Sequence, residues 1–295
     1  MVDQELPREP AREAAVIGRR SLLAAAALAS LCGLARAEAP ADAPAGALER
    51  IRRRGRLSVA VYQDMPPFNV GGRGIDVDLA AALAEGLGVK PDLLPLHADE
   101  SLQDDLRHAV WRGHYLGWGP ADVMLHVPVD RPLIDSSPQV AIFAPYYRER
   151  VMLAWDRERG PQPESLAALQ GVPVAVAGQS LAGWLLIGAE GGALRDGLST
   201  RYADGAEAAQ AVRDGRAAAA AGLASELESV LANQPRYAIL PLPAPRAPRD
   251  GWAVGCAVKR DATDLAQALQ QRVNELSADG RLRAIFQRHG VAWHG

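Results

Sequence analysis

From residue 57 onward, short apolar runs alternate with amphipathic stretches. LSVAVY (57–62) reads as a strand. IDVDLAAALAEGLG follows as a helix, with acidic residues in its first turn, Leu79, Leu83 and Leu87 four apart, and Gly88 as its stop. DLLPLH (92–97) predicts a second strand, SLQDDLRHAVWRG a helix, and DVMLHV a third strand that runs into a proline-kinked loop, PVDR (128–131). The alternation then recurs: a strand over 148–155, a short helix from Ser165 to Gly171, a strand over 172–177, and a helix opened by GQS. Asp204 is placed to cap the next helix, AAAAAGL (217–223) serves as a strand, and YAILPLP closes this half. After the proline-rich 243–251 come a strand, GWAVGCAVKR, and two helices, the first carrying Leu265, Leu269, Val273 and Leu276 on one face. Strand–helix alternation of this kind predicts mostly parallel sheets covered by helices.

The N-terminal segment has a different character. Arg19-Arg20 precede an apolar run of about 13 residues, short of the roughly 20 that span a bilayer. Ala35-Arg36-Ala37 offers small residues for cleavage, so residues 1–37 read as an export signal of twin-arginine type, with the Sec route as the alternative. The expected location is the periplasm. Cleavage leaves Cys256 as the single cysteine, so an internal disulfide is not expected. A net charge of -3 with no long basic run gives no reason to expect a nucleic-acid partner. Residues 38–54 are read as a flexible leader.

The order of LSVAVYQDMPPFNV, GIDVDLAAALAEGLG, ADVML, YYRERVML, SLAALQGVPVAVAGQS, GRAAAAAG, WAVGCAVKRD and VNELSADGRLRAIFQRHG resembles that of the family 3 periplasmic solute-binding proteins of ABC transporters. The resemblance runs over roughly residues 55–291. It implies an α/β, two-lobed type II periplasmic binding protein fold, with two mostly parallel sheets flanked by helices and a ligand cleft between the lobes. The first lobe would comprise 55–148 and a return segment 249–291, and the second 149–248. The crossings would lie near residues 147–152 and 248–253. A monomer with no cofactor and no catalytic chemistry is implied.

Departures from the family pattern bear on the ligand. Amino-acid receptors of the family grip the α-carboxylate with Arg in a Thr-x-x-Arg loop after the strand matching DVML. Here the loop lacks the Thr, and Arg131 arrives early. The acid that would hold the α-ammonium falls on Leu223 or its neighbour Gly222, and a second, structural acid on Ala218. Since an unpaired buried ammonium is costly, a standard amino acid is not the expected ligand. Candidate cleft residues are Tyr62, Asp64, Met65 and Phe68, then His126 and Arg131, then Gln179, Ser180, Trp184 and Leu223. Together they suit a weakly anionic or neutral ligand with apolar bulk. His114, Tyr115 and Trp118, in the long GHYLGWGP segment, are candidates for a lid or a docking knob. Four histidines (97, 108, 114 and 126) lack any metal-binding spacing, so no metal is expected. Two roles follow: delivery of a small ligand to an ABC permease or, alternatively, an accessory role for a PQQ quinoprotein dehydrogenase, where similar folds occur.

Overall fold

A computed structural model describes residues 45–294. The expected export signal and the start of the leader lie outside them. Among the described residues the strands assemble into two five-stranded sheets. The first contains β1 (Arg56–Tyr62), β2 (Lys90–Leu96), β3 (Val123–Pro128), β4 (Val140–Glu149) and β10 (Trp252–Lys259), in the order β2-β1-β3-β10-β4. The second contains β5 (Val151–Asp156), β6 (Val174–Val176), β7 (Leu198–Ser199), β8 (Ala219–Leu223) and β9 (Tyr237–Pro241), in the order β7-β6-β8-β5-β9. In each sheet a single strand runs against its neighbours, β10 in the first and β5 in the second. Each is the strand by which the chain enters that lobe from the other.

Helices cover both faces of both sheets. In the first lobe α1 (Ala47–Arg54), α2 (Ile75–Gly86), α8 (Thr263–Ala278) and α9 (Arg281–Arg288) pack on Val59, Val61, Val123 and Leu125. The opposite face, with Ala60 and Met124, is covered by α3 (Leu102–Leu106) and α4 (Arg131–Ser136). In the second lobe α5 (Leu181–Ile187) lies on one face, and α6 (Gly205–Arg213) with α7 (Ala224–Leu231) on the other. Alanine favours helix by propensity. Yet the alanine run forms the central strand β8, because helices press on both its faces and leave Ala219, Ala220 and Ala221 fully buried. Asp204 caps α6 as its position predicts, accepting from the Glu207 N–H at 2.7 Å.

Three local expectations change. The leader is helical from Ala47: Ile51 buries into the first core, the Leu48 N–H donates to Asp264 at 2.9 Å, and Gly55 ends the helix in the left-handed region. The strand read over 148–155 is two strands parted at Arg150, each in a different sheet. Most of β4 went unread because its in–out alternation fails at Ala144 (φ 51), beside the register shift of β10 and before Pro145. The loop after β3 starts a helix, α4. Asp130 caps it by accepting from the Leu133 N–H, and Pro132 occupies its first turn.

The lobes are joined where β4 passes into β5 and where β9 returns to β10. A third connection is made by the segment after α9. The Ala292 N–H donates to Glu228 of α7 at 2.8 Å, the Trp293 indole donates to the Tyr146 carbonyl, and the His294 carbonyl accepts from the Arg148 N–H. The tail of the chain is thus strapped across the hinge from the first lobe to the second.

Candidate functional site

The parallel strands β7, β6 and β8 are adjacent, and all point their C-terminal ends the same way. The residues that follow those three ends line one cavity of about 410 Å³. After β6 come Gln179 and Ser180, after β7 come Thr200, Tyr202 and Asp204, and after β8 comes Glu226. The C-terminal ends of parallel strands are the usual ligand edge of an open α/β sheet, because the loops there converge without crossing the core. Ser180 caps α5, accepting from the Gly183 N–H at 3.1 Å and donating to the Ala177 carbonyl. Its side chain, on the cavity lining, is therefore fixed by the backbone.

Glu226 is the strongest electrostatic feature of this cavity. It sits in the first turn of α7 and reaches back to accept from the Leu223 N–H at 2.8 Å. A side chain at Gly205 would collide with its carboxylate, and one at Gly222 would crowd it, so these two glycines form its cradle. Desolvation pushes the Glu226 carboxyl up to about 7 from an ordinary value of 4.5, with Asp204 and Glu149 adding like-charge repulsion. The folded protein then holds this proton at pH values where the unfolded chain has released it. The contribution is fully present below about pH 4.5 and is lost as pH rises through about 7, amounting to no more than about 3 kcal/mol. Glu226→Gln should therefore flatten the dependence of the urea midpoint on pH between 5 and 8. An unchanged slope would assign that dependence to other groups.

The first lobe uses its predicted cleft residues differently. Phe68 is buried, with its ring edge-on to His126 at 4.1 Å and close to Tyr147 and Phe286. The Tyr62 hydroxyl donates to Asp105 at 2.6 Å, and burial raises the pKa of its phenol. Met65 is half-buried against the core, and Asp64 is exposed at φ 55 in the loop between β1 and α2. Asn69, which the sequence did not single out, pins that loop by donating to the Tyr62 carbonyl and accepting from the Gly72 N–H.

His126 is buried at φ 60 on β3, and its backbone N–H donates to the Tyr146 hydroxyl at 2.9 Å. That hydroxyl donates in turn to Asp76 at 2.8 Å, while His126 Nδ1 lies 3.5 Å from the other Asp76 oxygen. The positive φ shifts the phase of β3, which turns Val127 to the same core as Met124. His126 is therefore packed within the first lobe, against Phe68 and beside Asp76.

Arg131 projects from the first turn of α4 with its side chain 82% exposed, paired with Asp135 one turn on. An exposed i,i+4 pair contributes roughly 0.3–0.5 kcal/mol. Arg131→Ala should leave the urea midpoint and solute affinity essentially unchanged, and a tenfold loss of affinity would return it to the site. Trp184 lies outside the cavity: 71% exposed, it borders a groove with Leu181 and Pro245. Leu223 precedes α7 and offers its N–H to Glu226.

In the GHYLGWGP segment His114 stacks on Trp118 at 4.5 Å, and His108 packs edge-on against His114. The His114 N–H donates to the Trp118 carbonyl, which closes a turn that holds Tyr115 at 84% and Leu116 at 72% exposure. Among the described residues no group of three His, Cys, Asp or Glu side chains is placed to hold a metal ion.

The hinge carries its own buried acid. Glu149, at the end of β4, accepts from the Arg150 N–H and from the Ser225 N–H and hydroxyl at the start of α7, so a first-lobe strand is tied to a second-lobe helix. Burial raises its pKa. Sequence reading missed Glu226, Asp204, Tyr202 and Thr200 as one site. The signals were there: a Glu three residues after a strand end, and a polar STRYAD run between strands.

Two α/β lobes joined by paired crossings, each with one antiparallel entry strand, define the type II periplasmic binding protein fold. Solved structures of that fold resemble this chain. An ancestral cationic amino acid solute-binding protein superposes with a TM-score of 0.64 at 20% identity, covering 82% of this chain and 99% of that one. The L-cystine solute receptor of Neisseria gonorrhoeae in the unliganded open conformation gives 0.57 at 22%, covering 84% and 98%. An amino acid ABC transporter substrate-binding protein from Streptococcus pneumoniae bound to L-arginine gives 0.56 at 20%, covering 83% and 98%. No family model and no curated protein matches the chain. At these identities the likeness is one of fold.

Proposed function

We propose that the chain is an exported solute receptor that closes its two lobes on a small ligand, other than a standard amino acid, for an ABC-type transporter. The observation that carries this reading is the polar cavity at the shared C-terminal ends of β6, β7 and β8. Cavities of this size, with a few converging polar groups, are the ordinary form of a small-molecule site. The receptors of like fold bind amino acids by name. Against the same ligand class here stand Arg131, paired with Asp135 on the surface, and Leu223 in place of an acid. A receptor of this kind gains stability from its ligand, since binding to the folded state alone raises the melting temperature. A metabolite thermal-shift screen, with native mass spectrometry of the protein from periplasmic extract, tests the reading. Empty results from both would end it.

The accessory role for a PQQ quinoprotein dehydrogenase has one observation in its favour, the ring-stacked turn that presents Tyr115 and Leu116. Exposed aromatic and aliphatic side chains on a braced turn suit a protein contact. The same mass-spectrometric experiment decides it: a dehydrogenase or cytochrome retained by the wild type and lost from Tyr115→Ser supports this role, and retention by neither counts against it.

A further inference from the structure

The cavity has a chemical bias that the receptor reading leaves unspecified. Its lining includes two carboxylates, Asp204 and Glu226, and no lysine, arginine or histidine. Asp204 already accepts from the Glu207 N–H through one oxygen, and Glu226 accepts from the Leu223 and Gly205 N–H groups, so both carboxylates keep lone pairs for a further donor. Tyr202 adds a phenol and an aromatic face to the same wall. Two bases stand near Tyr202 and neither lines the cavity: Arg201, 5.6 Å from the ring centroid, and Arg216, which is paired with Asp214. Around Glu226 the charged neighbours are Asp204 from the start of α6 and Glu149 from the hinge, both acidic.

An anionic solute entering here would add to that repulsion without a partner. A metal ion would need three or more ligating side chains, which the described residues do not bring together. A carboxylate on the solute would need a base, and the expected one, Arg131, is paired with Asp135 on the surface.

Resting on the receptor reading, we propose that this cavity takes a small primary-amine cation lacking a carboxylate, its ammonium held between Glu226 and Asp204. The ammonium supplies three donors, and the remaining lone pairs of the two carboxylates with the Tyr202 hydroxyl are suitable acceptors. Binding requires Glu226 to be ionised, and without ligand burial holds it protonated up to about pH 7. The cation therefore displaces a proton, and affinity rises with pH until Glu226 is ionised in the empty protein.

The test is calorimetric titration of the purified exported protein with butylamine, 1,4-diaminobutane and butyrate at pH 6 and pH 8. The amines should bind about tenfold more tightly at pH 8, the ratio of ionised Glu226 at the two pH values, and butyrate should not bind. Glu226→Gln should abolish the pH dependence and weaken amine binding at pH 8 at least tenfold. Asp204→Asn keeps the helix cap, since Asn caps as well as Asp, and should weaken amine binding while the melting temperature holds. Butyrate binding, or amine binding that is pH-independent and survives both substitutions, would overturn the proposal. If no amine binds while the metabolite screen finds another ligand, the amine assignment falls and the receptor reading stands. If neither finds a ligand, both fall.

Discussion

Replacing Asp76 by alanine is expected to lower stability by about 3 kcal/mol, among the largest effects of any single side chain in the first lobe. Asp76 is 1% exposed at the start of α2 and accepts the proton of the Tyr146 hydroxyl. Without it that hydroxyl loses its acceptor inside the core, and His126 Nδ1 loses its nearest carboxylate. Tyr146→Phe should cost a similar amount, since it strips the acceptor from the His126 N–H at a positive φ. The two losses should not add, because both break one chain of hydrogen bonds. Urea denaturation of both single variants and the double variant measures this. Fully additive values would mean that Asp76, Tyr146 and His126 act independently.

The second large effect is expected at Gly251→Ala. Gly251 has φ 62, and a Cβ there would overlap the carbonyl oxygen of Glu149. The two crossings between the lobes are therefore in backbone contact, and only glycine permits it. Relief requires one crossing to move. The expected outcome is a loss of about 3 kcal/mol or more, accompanied in small-angle scattering by a changed radius of gyration. A loss under about 1 kcal/mol with unchanged scattering would show that the crossings have room to spare.

How far the sequence revealed this molecule depended on whether a feature was carried by periodicity. The helices α2 and α8 were legible from leucines and a valine at three- and four-residue spacing, and β1 and β3 from short apolar runs, because burial alone places those side chains. What was lost lay where backbone geometry overrides alternation: Ala144 within β4, and the Arg150 break that hands the chain from one sheet to the other. The site was harder to read. Gln179 and Ser180 were found because they precede a helix. Glu226 carries no signal in the sequence that separates it from any first-turn helical acid, since only the folded packing shows Gly205 and Gly222 making room for its carboxylate. Phe68 and His126 had the right residue types for a cleft but were drawn inward, toward Phe286 and Asp76. Local sequence cannot separate a cleft aromatic from a core one.

The tail after α9 also bears on affinity measurements. It grips Glu228, Tyr146 and Arg148 at once, on both sides of the crossings. A rotation that parts the first lobe from α7 must stretch or release the Ala292–Glu228 bond, so that bond weights the equilibrium between lobe arrangements before a solute arrives. A solute that needs an arrangement populated only in part binds more weakly by that fraction. Shortening the chain by its last few residues would therefore change apparent affinity without touching a single contact to the solute.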